Sequence, residues 1–86
     1  MKLNRDFITH YSDGKLVMVS LDRKKFSGIV RLNESGAFIV DLLKEDISRD
    51  GIVDEMVKEY DVDRDLAGKD ADRVIKVLND IGALDD

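Results

Sequence analysis

The side chains best able to do chemistry in this chain are few and scattered. His10 is the only histidine and there is no cysteine. A metal site or a nucleophile–base pair built on His10 therefore lacks partners, and thiolate zinc, iron–sulfur and disulfide chemistry are excluded together. The run Asp61-Val62-Asp63-Arg64-Asp65 places carboxylates at alternate positions, as a calcium loop begins, and Asp72 falls at the twelfth place. The sixth place, however, is Leu66 where such a loop turns on glycine. The ninth is Lys69, a cation, and the twelfth ligand is the shorter Asp rather than Glu. The run reads as a solvated connector between helices. Gly28 and Gly36 are isolated and lack the spacing of a phosphate-cradling loop. With no catalytic constellation, no metal ligand set and no cofactor motif, the expected role is binding rather than catalysis.

Composition narrows the partner. Fourteen basic and nineteen acidic side chains give a net charge of −5 over 86 residues, which argues against duplex nucleic acid as the main partner. No apolar run approaches the eighteen or so residues needed to span a bilayer, and Met1 to Asp6 has no apolar stretch behind it of the signal-peptide kind. The chain reads as a cytoplasmic protein forming one domain over residues 1–86, without a linker, low-complexity segment or repeat.

The elements that must position a binding surface follow from spacing. Phe7 to Ser12 and Lys15 to Leu21 are strand candidates around Asp13-Gly14, the pair that supplies positive φ at both positions of a two-residue hairpin turn. This predicts Ser12 opposite Lys15, Tyr11 opposite Leu16, His10 opposite Val17, Thr9 opposite Met18 and Ile8 opposite Val19. One face of the ribbon then holds Phe7, Tyr11, Leu16 and Met18; the other holds Ile8, His10, Val17 and Val19. The second face is either covered by a terminal segment or offered to a protein partner. Arg23-Lys24-Lys25 is a cationic loop, read as plain surface or as a contact with an enzyme. Phe26 follows it, and a short third strand opens at Gly28 and reaches Leu32.

Asn33 then stands where a helix N-cap belongs, and the first helix is predicted from Glu34 to Lys44 with Phe38, Ile39, Leu42 and Leu43 inward. Ser48 caps a second helix whose stripe is Ile52, Val53, Met56, Val57 and Tyr60. Asp61 to Asp65 is a polar connector. The third helix starts at Leu66 or Lys69 and runs to Ile81 on Ala71, Val74, Ile75, Leu78 and Ile81. Gly82 ends it in the left-handed conformation, and Leu84 folds back as an apolar plug. Three strands followed by three helices imply an α+β fold, an antiparallel sheet with helices on one face. The third strand enters a helix at once, so one of its edges has no following strand to pair with.

This order, with Leu32-Asn33-Glu34-Ser35 followed by Ala37, Ile39, Leu42 and Leu43, resembles the PqqD family. These are winged helix-turn-helix-like domains of the RiPP recognition element group, which bind the leaders of ribosomally made precursor peptides. The likeness continues through Ile52, Val53 and Met56, Glu59-Tyr60-Asp61-Val62, Asp70 four residues before Val74-Ile75, Leu78, and Gly82-Ala83-Leu84. Two features depart from it: Lys44-Glu45-Asp46-Ile47 stands where members often carry a glycine, and Gly51 lies within the second helix's first turn. The resemblance implies a non-catalytic protein without cofactors. It binds a leader peptide as an added strand beside the third strand, against the third helix, and delivers it to a modifying enzyme, a radical SAM enzyme in the case of PqqD.

The residues expected at such a site are Ile29, Val30, Arg31 and Leu32 on the strand and Asp70, Arg73, Val74 and Val77 on the helix. Leu32 also reads as core. Val77, apolar but off the helix's buried stripe, either widens the core face or floors the groove. Arg31 and Arg73 suit acidic side chains of a leader or are solvated cations; Lys76 and Asp80 are weaker candidates. Two other readings stand beside this one. A winged-helix DNA binder would present Arg64, Lys69, Arg73 and Lys76, against Asp63, Asp65, Asp70, Asp72 and Asp80 on the same segment. A structural subunit would form a homodimer through the hairpin's apolar face.

Overall fold

A computed structural model describes residues 1–13, 15–22 and 28–85; the expectations placed on Gly14, on Arg23-Lys24-Lys25 and on Phe26 lie outside them. The elements are β1 (Lys2–Leu3), β2 (Phe7–Ser12), β3 (Lys15–Ser20), β4 (Ile29–Leu32), α1 (Glu34–Leu42), α2 (Arg49–Tyr60), α3 (Arg64–Asp80) and β5 (Leu84–Asp85). Asp13 takes a left-handed conformation, φ +53°, as the first position of a two-residue hairpin turn requires. The β2–β3 register is the predicted one, from Ser12 opposite Lys15 to Ile8 opposite Val19. β4 adds antiparallel to β3, with Leu32 opposite Leu16, Arg31 opposite Val17, Val30 opposite Met18 and Ile29 opposite Val19. The sheet order is β2-β3-β4.

Strand alternation sorts these residues onto two faces. Phe7, Leu16 and Met18 are buried against the helices, and their partners Val30 and Leu32 join that face. On the other face Ile8 is 46% and Ile29 61% exposed, so among the described residues no terminal segment covers it. The terminal segments instead pair with each other: β1 and β5 form a two-stranded ladder, Lys2 opposite Asp85 and Leu3 opposite Leu84. The Leu3 amide donates to the Leu43 carbonyl (2.7 Å) and that of Asn4 to Ala83 (2.7 Å), which ties this ladder to the ends of α1 and α3. Strands of two residues carry no readable alternation, so the sequence reading had only the plug at Leu84.

The helices form where caps and apolar spacing agree. Asn33, Ser48 and Asp63 are the N-caps, their side chains accepting from the amides of Gly36, Gly51 and Leu66. α1 ends at Leu42, short of the predicted Lys44; it buries Val40 as well as Ile39, its C-cap Leu43 is buried, and Phe38 and Leu42 are half-buried. Its burial exceeds one stripe because it lies between the sheet and the other two helices. α2 buries Ile52, Val53 and Met56 as expected, with Val57 and Tyr60 half-buried.

α3 is longer than the sequence reading made it. It begins at Arg64, not at Leu66 or Lys69, and its added turn buries Ala67 and Gly68. The aspartates of the supposed connector each serve a helix end. Asp61 is the left-handed cap of α2 with φ +50°, Asp63 caps α3, and Asp65 sits in its first turn where negative charge suits the helix dipole. The far end closes as a Schellman motif around Gly82 (φ +73°): the Gly82 amide donates to Asn79 (3.0 Å) and the Ala83 amide to Leu78 (2.8 Å).

A forked ion pair joins α2 to α3. Arg49 Nε donates to Asp72 Oδ1 at 2.6 Å and Nη2 to Oδ2 at 3.1 Å. The guanidinium hydrogen bond holds the Asp72 carboxyl below the usual carboxylate range. A depressed folded-state pKa stabilises the fold above the ordinary carboxylate pKa, and that contribution is lost as pH falls through the lowered value. Denaturant midpoints measured down the acid limb are therefore expected to fall less steeply for Asp72→Asn than for the wild type. Separately, Asp63→Ala is expected to cost about 1 kcal/mol of stability, seen as a thermal midpoint lower by several degrees; an unchanged midpoint would mean α3 starts later.

Candidate functional site

Leu32 is the last strand residue and Glu34 the first helical one, with Asn33 between them. Asn33 adopts extended backbone (φ −73°, ψ −179°) while its Oδ1 accepts from the Gly36 amide at 2.8 Å. One residue thus ends β4 and starts α1. As a result β4 pairs with β3 alone, and among the described residues its second edge faces no strand. In an antiparallel strand alternate residues turn their N–H and C=O outward, so about half of the four-residue edge is open to a partner.

Opposite that edge lies α3. Between them runs an open groove of about 310 Å³ lined by Val30, Arg31, Leu32, Asn33, Gly36, Arg73, Val74 and Val77. Val30, Leu32 and Val74 form its apolar floor, and Val77, 41% exposed, stands on its α3 side. Gly36 belongs there for space: a Cβ would lie 3.1 Å from Asn33 Oδ1 and 3.2 Å from Leu32 Cδ2, crowding both the cap and the floor. Arg31 has no ion-pair partner among the described residues. Arg73 lies on the α3 wall with its Nη2 3.4 Å from Asp70 Oδ1.

Six of the eight residues expected at the site line this groove. The other two do not. Ile29 points to the opposite face of the sheet, as its place one residue before Val30 requires. Asp70 lies one turn before Arg73 and reaches the groove only through that ion pair. Sequence reasoning missed Asn33 and Gly36 as lining residues. The N-cap was recognised, but not that capping brings the α1 N-terminus to the groove's end.

The side chains that a nucleic-acid surface would need are mostly paired. Arg64 donates to Asp54 at 2.6 Å, Lys76 to Asp80 at 2.9 Å, and Arg73 lies 3.4 Å from Asp70. Among the described residues no three carboxylate or imidazole groups converge to hold a metal, and no helix is long and apolar enough to cross a membrane.

A second concavity, of about 470 Å³, lies on the far side of Leu32 and Asn33, between the hairpin tip, one side of α1 and the end of α2. Phe38 and Tyr60 meet there edge to face, ring centroids 5.4 Å apart. Burial, and then the charges of Glu34 and Glu59, push the Tyr60 phenol above its usual value.

Among solved structures, the chain is similar to TbiB1 in complex with the TbiA(beta) leader peptide: TM-score 0.82, 26% identity, 99% of this chain and 95% of that one covered. It shares its fold with a lasso peptide synthetase B1 complexed with a leader peptide, at TM-score 0.77 and 22% identity over 95% of this chain and 93% of that one. No curated protein matches the chain. The family described as coenzyme PQQ synthesis protein D (PqqD) matches residues 15–84. With the sheet, the three helices and the family match in agreement, the chain belongs to the PqqD family, whose members are non-catalytic peptide-binding domains.

Proposed function

We propose that this protein is a leader-peptide chaperone. It binds the leader of a ribosomally synthesised precursor as a strand beside β4, against α3, and presents it to a modifying enzyme, with a radical SAM enzyme as the partner expected from the PqqD resemblance. The whole chain acts as one peptide-binding domain. The observation that carries the reading is the open β4 edge set across an apolar groove from α3. Strand addition satisfies the unpaired backbone groups whatever the peptide's sequence, and the groove selects side chains. Support comes from the solved relatives, both of which hold leader peptides.

The magnitudes are consistent with a usable complex. About four outward backbone groups at roughly 1 kcal/mol net each, with two apolar anchors at about 2 kcal/mol each, sum to the roughly 8 kcal/mol of a micromolar complex. Ordering a flexible leader costs about 2–5 kcal/mol, which leaves about 3–6 kcal/mol and an affinity from tens of micromolar to millimolar. Arg31 and Arg73 at the groove's rim favour acidic side chains in the bound segment. The DNA-binding reading draws no support, because three of the four cations it requires, Arg64, Arg73 and Lys76, are matched by carboxylates on α2 and α3.

The test uses the leader of a precursor peptide encoded beside this chain, fluorescently labelled and followed by anisotropy. Val77→Asp is expected to weaken binding at least about 30-fold, the loss of one roughly 2 kcal/mol anchor, with the thermal midpoint nearly unchanged because Val77 is already 41% exposed. Ile29→Thr, on the opposite face, is expected to leave affinity within about two-fold, since it keeps a β-branched strand former and the backbone edge. Equal effects of the two substitutions would contradict the groove assignment, and no binding by the wild type would contradict the leader reading.

A further inference from the structure

Tyr11 is out of place for a core residue. It stands opposite Leu16, on the face of the hairpin that buries Phe7, Leu16 and Met18, yet it is 60% exposed. The ring borders a concavity whose other walls are one side of α1 (Glu34, Ala37, Phe38 and Asp41) and Tyr60. Its volume, about 470 Å³, lies within the range of ligand sites, roughly 300–1,000 Å³. Leu32 and Asn33 line both this cleft and the β4–α3 groove. A peptide leaving the groove past Asn33 therefore meets the cleft next.

The two sites differ in charge. The groove is lined by Arg73, 3.4 Å from Asp70, and at its edge by Arg31, which strand alternation sets on the sheet face of Ile29. The cleft carries Glu34 and Asp41 against the single cation Lys15. Asp41 is paired with Lys44 at 3.0 Å, whereas Glu34 has no ion-pair partner among the described residues. The field at the aromatic end is negative, since Glu34 and Glu59 both act to raise the Tyr60 phenol. Aromatic faces beside an unpaired carboxylate are the surroundings that attract a guanidinium or ammonium group.

We propose that the cleft between Tyr11, Phe38 and Tyr60 is a second subsite that takes a basic side chain, arginine or lysine, from the same peptide, next to the stretch held in the groove. This rests on the leader-binding reading and deepens it. The preferred leader then has an acidic and apolar segment for the groove, followed in space by a basic residue for the cleft. The pairing of unlike charges at the two ends fixes the register of the added strand, which backbone hydrogen bonds alone leave free to slip.

The experiment has two arms, both read from amide shifts of the full chain. In the first, N-acetyl-arginine amide and N-acetyl-glutamate amide are titrated separately. The arginine probe is expected to shift Tyr11, Phe38 and Tyr60 at millimolar concentration and the glutamate probe to leave them still. Glu34→Gln combined with Tyr11→Ser is expected to weaken the arginine response at least about five-fold; Tyr11 is exposed, so its loss spares the core. Equal responses to the two probes, or an unchanged response in the variant, would overturn the proposal. In the second arm the neighbouring leader is added. Shifts in both groove and cleft support the second subsite. Shifts in the groove alone overturn it and leave the leader reading intact. An arginine response in the cleft together with a groove that ignores the leader overturns the leader reading and, with it, the assignment of the cleft to the same peptide.

Discussion

One hydrogen bond sets the rest of the structure in place: Asn33 Oδ1 accepting from the Gly36 amide at 2.8 Å. It converts strand to helix within a single residue. Because of it, β4 cannot turn back as a hairpin partner, α1 is anchored at the sheet's end, and the edge of β4 is left beside α3. Losing a cap of this kind costs about 1 kcal/mol, a large share for a domain whose whole stability is on the order of 5–15 kcal/mol. The same bond defines two surfaces, since the junction it fixes separates the groove from the aromatic cleft. The geometry of the groove is thus a by-product of how the chain changes secondary structure.

A free sheet edge is ordinarily a hazard, open to pairing with any extended chain. Here the edge is only four residues long and α3 stands across from it, so a partner must fit a groove and not merely a ladder. Arg31 and Arg73 at its rim discourage cationic chains. Arg64–Asp54 at its start, the forked Arg49–Asp72 pair at its middle and the Schellman closure at Gly82 hold α3 along its length, which fixes the far wall of the groove.

Much of this was legible in the residues. Asp13 with Gly14 gave the hairpin register to the residue, and Asn33 and Ser48 marked two helix starts. What escaped had physical reasons. Asp61, Asp63 and Asp65 read as a polar connector because capping and solvation use the same residue type, so the start of α3 at Arg64 and Asp65 was lost. The two-residue strands β1 and β5 are too short for a period. At the site, alternation was sufficient to separate Ile29 from Val30 and Leu32, but treating the strand as a backbone edge set that aside. Tyr11 was read only as sharing a face with Leu16; that it is 60% exposed there depends on tertiary packing that strand alternation does not report.

The central claim is that the β4 edge accepts a peptide strand. Amide hydrogen exchange of Ile29 to Leu32, measured with and without a bound leader, tests it most directly. The account predicts that the outward-facing amides of β4, exposed in the free protein, become protected on binding, while those of β2 at the sheet's other edge do not change. A leader that binds and leaves the β4 amides exchanging as before would contradict it.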